Sequence, residues 1–105
     1  MIFTLDPALE ETAHALGYQS AIAFARIELS NRAAQKLAFY KSRVELYEQK
    51  YGMTYEEFKA RVMDPSDTSL KRFGIIEKED DDFEWEDAVY MAQSYQRKFD
   101  ALSQL

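Results

Sequence analysis

Apolar residues along this chain recur every three or four positions, which is the spacing of helices that bury one face. The clearest stretch runs from Tyr18 to Tyr51, where no Gly or Pro interrupts. Ile22, Ala25, Leu29, Ala33, Leu37, Tyr40, Val44, Tyr47 and Tyr51 form one continuous stripe there. A helix of that length spans roughly 50 Å at 1.5 Å per residue, whereas a compact chain of this size has a radius of gyration of only about 13 Å. Such a helix must project, pair with a second chain, or break. Ser30-Asn31 is the expected break, because both residue types favour caps over helix interiors.

The flanking elements follow from local signals. Ile2-Phe3-Thr4-Leu5 reads as a short strand. Asp6-Pro7 reads as an N-cap and first helical position, so a first helix is expected from about Pro7 to Leu16, stopped by Gly17. Gly52 ends the long helix, and Thr54-Tyr-Glu-Glu57 is a capping box that predicts a third helix over 55–63. Asp64 to Ser69 is a loop, and Leu70 to Ile76 is readable as strand or as extended coil. A last helix is expected from about Asp82 to Leu102, with Trp85, Ala88, Ala92, Tyr95, Phe99 and Leu102 as its buried seam. The fold class is therefore all-α, with the long central helix and the C-terminal helix packed as a hairpin or bundle. One domain covers residues 1–105: residues 1–30 form a strand-helix-helix dimerisation part, and residues 31–105 a helical partner-binding part.

Charge alters this picture at one place. Eight of the eleven residues from Glu77 to Asp87 are acidic and only Lys78 opposes them, while the whole chain carries a net charge of −6. The acidity is thus a local block, placed where a helix dipole favours negative charge. It can be a solvated helix start, or it can dock a basic partner with Asp80, Asp81, Asp82, Phe83 and Trp85 as contact residues. The block lacks the central Gly and alternating ligands of an EF-hand loop, so no metal is assigned to it. Arg26, Arg32 and Lys36 begin a basic stretch that could meet phosphates, or simply form the polar face of the long helix.

Other chemistry finds little footing. His14 is the lone histidine, no cysteine occurs, and the serines stand in no nucleophile context. Catalytic, cofactor and metal residues are expected to be none, and the protein is expected not to be an enzyme. The lack of cysteine and of a secretion signal fits a cytoplasmic location. No apolar run is long enough to span a bilayer. The length and aromatic content of the long stripe predict a homodimer, with Ile22, Leu29, Leu37, Tyr40, Val44 and Tyr47 at its interface.

The stretch from Ile2 to Leu29 resembles a ribbon-helix-helix antitoxin: a short strand, Asp6-Pro7 opening a helix, the Leu16-Gly17-Tyr18 turn, and a second helix from near Ser20. In that family paired strands enter the DNA major groove and the C-terminal segment wraps a toxin. The base-reading strand there carries outward basic or polar residues, whereas this one offers only Thr4. The segment Lys50-Tyr-Gly-Met-Thr-Tyr-Glu-Glu-Phe58, followed by the acidic segment with Trp85, is similar to small prokaryotic helical proteins that look like antitoxin partners. The resemblance implies a non-enzymatic, homodimeric protein that neutralises or docks a basic partner such as a toxin. The alternatives are a DNA-binding transcriptional regulator and a structural dimer module.

Overall fold

The computed structural model describes residues 6–105, and all regular structure in that range is helical. The helices are α1 (Pro7–Ala15), α2 (Ala21–Tyr51), α3 (Tyr55–Met63) and α4 (Ile75–Ser103). The strand expected at Ile2 to Leu5 lies outside the described residues.

Caps explain most of the boundaries. The Asp6 side chain accepts from the Ala8 N–H at 2.8 Å, and Pro7 follows at the first helical position. Ser20 caps α2 by accepting from the Ala23 N–H at 3.0 Å. Thr54 caps α3 through the Glu57 N–H at 3.3 Å. Gly52 closes α2 at φ +70°, a left-handed geometry in which a side chain would be strained.

Two expectations need correction. α2 runs unbroken through Ser30 and Asn31. Neither residue caps anything there, because the apolar stripe continues on both sides and α4 packs along it. α4 begins at Ile75, seven residues before the expected start at Asp82. Glu77 accepts from the Gly74 N–H at 3.2 Å, so the acidic run lies inside the helix and not before it. The segment from Leu70 to Gly74 is turn, neither strand nor extended coil.

α2 and α4 pack as an antiparallel hairpin: Lys50 reaches Asp81 near one end, and Arg26 donates to the main-chain oxygen of Leu105 near the other. The molecule measures 66 × 27 × 21 Å with a radius of gyration of 21.0 Å, so the long helix projects as a rod. Its principal core sits at one end of that rod. Tyr47, Tyr51, Phe58, Leu70 and Trp85 are buried together there, and Val44, Met53, Tyr55, Phe73 and Val89 pack around them. Burying a side chain of this size stabilises by roughly 1.5–3 kcal/mol. Further along, the seam narrows to Ala33, Leu37, Ala88 and Ser94, with Tyr40 stacked on Tyr95 at 6.0 Å.

The stripe expected to hold a second chain is therefore filled by α4 of the same chain. Leu37 and Tyr47 are buried, and Tyr40 and Val44 half-buried, against α4 of the same chain. Ile22 stays exposed, because α4 ends beside Arg26 and leaves the start of α2 without that partner, and Leu29 is exposed alongside the end of α4. α1 folds back on this overhang, and Leu9, Ala13, Leu16 and Phe24 enclose a small apolar cavity of about 140 Å³. No described helix is long and apolar enough to cross a membrane.

Candidate functional site

The acidic run divides into carboxylates that hold the fold and carboxylates that face solvent. At 100° per residue, consecutive acids on a helix point in different directions. Those turned toward α2 and α3 meet a tyrosine hydroxyl, a cationic side chain, or both. Asp81 accepts from Lys50 Nζ and from the Tyr51 hydroxyl, each at 2.6 Å. Asp82 accepts from the Tyr55 hydroxyl and from Lys59 Nζ, also at 2.6 Å. Glu84 accepts from Tyr47 and from Arg43, the latter at 3.2 Å. Glu77 accepts from Lys50 at 2.7 Å.

These contacts shift the ionisation of the donors. Burial, then the hydrogen bond to Glu84, pushes the Tyr47 phenol up to about 12. Burial likewise raises Tyr51 and Tyr55, with Asp81 and Asp82 adding to it. Lys50 is raised mainly by its bond to Asp81, and Lys59 by its bond to Asp82. Glu77 is lowered, chiefly by Lys50. Each direction favours the proton arrangement that keeps the belt paired.

The two aromatic residues of the run part company. Trp85 is 0% exposed, ringed by Tyr47, Tyr51, Tyr55 and Phe58 with centroids 5.1–5.8 Å away. Its Nε1–H finds no hydrogen-bond partner among the described residues, a cost of about 1–3 kcal/mol that the aromatic packing offsets. Trp85 is thus a core residue and is corrected as a contact for a partner. Phe83, two residues earlier, points about 160° away and is 77% exposed.

What remains outward is a compact set. Glu79, Asp80 and Asp87 are exposed and make no hydrogen bond or ion pair among the described residues. They surround Phe83 on the outer face of α4, where Phe83 and Asp87 also border a groove with α2. Of the three aspartates expected to meet a partner, Asp80 is available, while Asp81 and Asp82 are engaged within the chain. Beside Phe83, Phe39 and Arg43 of α2 line a shallow groove of about 200 Å³.

Arg32 and Lys36 share one face of α2, about 40° apart, and Arg26 does not join them. Arg26 lies about 120° around α2 from Arg32 and is tied to Leu105, while Arg32 donates to Gln35 at 3.2 Å. Lys36 is exposed. His14 lies at the surface, its Nε2 2.8 Å from the Gln19 carbonyl and 3.8 Å from the Glu10 carboxylate. Among the described residues no group of three or more His, Asp or Glu side chains is placed to hold a metal ion.

Sequence reasoning missed Ile76 and Tyr90, which are exposed on the same side of α4 as Phe83. The signal is the seven-residue spacing of Ile76, Phe83 and Tyr90, of which Ile76 precedes the helix start expected at Asp82. Comparison of the chain with protein-family models, with curated proteins and with solved structures finds no match.

Proposed function

We propose that this is a non-enzymatic protein-binding module of the antitoxin kind, which docks a basic partner on the outer face of α4. The observation that supports it is the exposed Phe83 set among the unpaired carboxylates of Glu79, Asp80 and Asp87. Other acids of the same run serve the fold, so these three are surplus to it. Complementary charge raises the association rate and fixes orientation more than it adds affinity. The aromatic side chain supplies the desolvated anchor.

The test neutralises only the outward acids, as Glu79→Gln, Asp80→Asn and Asp87→Asn together. Circular dichroism and thermal unfolding should match those of the parent chain. In crosslinking capture from cell extract at low salt, the parent chain should retain basic proteins that the triple variant loses. Capture of the same proteins by both would count against the reading.

Self-association is a second reading, supported by a different observation. Leu9, Leu16 and Ile22 are exposed in α1 and at the start of α2 beyond α4, and Leu29 is exposed two turns further along α2; exposed apolar surface of this kind marks contact surfaces. A second copy packing there would give a homodimer through the end of the rod. Light scattering at micromolar concentration should then give a dimer mass, lowered to the monomer by Ile22→Glu with Leu29→Glu; a monomer mass for the parent chain rejects it. A DNA-binding role has the weaker footing, since Arg26 stands apart from Arg32 and Lys36 and is tied to Leu105, and Arg43 is engaged by Glu84.

A further inference from the structure

We infer that the basic partner presents an amphipathic α-helix, and that this helix lies along α4 over Ile76, Phe83 and Tyr90. The inference rests on the reading of α4 as the docking face for a basic partner. It adds the partner's secondary structure and its line of contact.

The three residues are spaced seven apart, and seven residues fall only about 20° short of two full turns. They therefore project from nearly one line, about 21 Å long at 1.5 Å per residue. All three are far from buried, at 74%, 77% and 61% exposure, so no described element covers this line. Acids flank it in register. Glu79 and Asp80 follow Ile76 by three and four residues and Asp87 follows Phe83 by four, while Glu86, three after Phe83, is held by the Tyr55 hydroxyl at 3.0 Å. At 100° per residue, the third and fourth positions fall on opposite sides of the line. The outer face of α4 is thus an apolar seam with free carboxylates on both sides, Glu79 on one and Asp80 and Asp87 on the other.

This pattern selects among occupants. An extended peptide adds to a free sheet edge, and α4 has its backbone hydrogen bonds satisfied within the helix. Nucleic acid and anionic lipid carry the same sign of charge as these carboxylates and are repelled. The α4 of a second copy brings the same acidic run and is repelled likewise. A helix with apolar residues at heptad spacing matches the seam by knobs-into-holes packing. Lys or Arg beside that stripe would meet the free carboxylates, as charged flanks do in coiled coils.

The experiment titrates the full chain with fluorescent synthetic peptides of about 21 residues, three heptads long. One peptide places leucines on a heptad stripe with Lys and Arg beside it. A second has the same composition, permuted so that the leucines spread around the helix. The ordered peptide should bind at least about ten-fold more tightly than the permuted one. Phe83→Ala, whose circular dichroism and melting should stay those of the parent, should remove that advantage. Equal binding of both peptides would overturn the helical inference while leaving a basic partner in place. Binding of neither would overturn both readings.

Discussion

Trp85 and Phe83 stand two positions apart and do opposite work. Trp85 closes the aromatic core and Phe83 contributes nothing to it. Trp85→Ala should cost about 3–5 kcal/mol, whereas Phe83→Ala should change stability by no more than about 0.5 kcal/mol. Thermal or urea unfolding of the two variants checks this, and similar losses for both would contradict the division. Ionisation is equally specific at this scale. Tyr47, Tyr51 and Tyr55 all hold their protons more tightly in the folded chain than an ordinary phenol does. Their contribution to stability is then complete below the usual tyrosine pKa of about 10 and is lost as pH rises through the folded values, which for Tyr47 is about 12. Lys50 and Lys59 shift in the same sense. Ultraviolet titration should resolve three late-ionising tyrosines, and their ionisation should coincide with unfolding. Ordinary titration of all seven tyrosines would show that the belt does not form.

At the scale of elements, Ser30 and Asn31 give the sharpest test of how α2 is built. Asn31 is exposed in the middle of a helix, where Asn is a poorer residue than Ala. Asn31→Ala should stabilise by about 0.5 kcal/mol. Were Asn31 a cap between two helices, the same change would destabilise by about 1 kcal/mol, so one melting curve decides the sign. The ends of α1, α2 and α3 were legible, because their caps are local: Asp6-Pro7, Gly52 and Thr54 each act within a few residues. The start of α4 was not. Dense charge looks like a solvated approach to a helix, and only the fit of Asp81, Asp82 and Glu84 against α2 and α3 makes it helix interior. The seam from Trp85 to Leu102 was legible and faces α2 as its spacing implies, since none of its residues is exposed. The candidate face was half legible. The acidic run with Phe83 could be read directly, but which acids are engaged depends on partners 23–41 residues away in sequence.

On the scale of the whole molecule, length and thickness set what the chain does with its apolar stripe. A compact chain of this size has a radius of gyration of about 13 Å, against 21.0 Å here. The hairpin answers the length problem by staying long, and it uses the stripe on α2 to hold α4 instead of a second copy. That choice leaves the outer side of α4 and the overhang at α1 as the surfaces open to others. It also makes the rod unequal along its axis. The fully buried rings and four carboxylate-centred contacts all lie toward the connection between α2 and α4, while the rest of the rod is held by alanines, Leu37, the half-buried Tyr40, Tyr95, Phe99 and Leu102, and a short helix. Local opening follows the density of buried contacts, so backbone amides should exchange with deuterium in a gradient, slowest around Tyr47 to Tyr51 and fastest in α1. The overhang would then unlatch while the braced end keeps the outer face of α4 in shape, so that a partner there meets a surface already set.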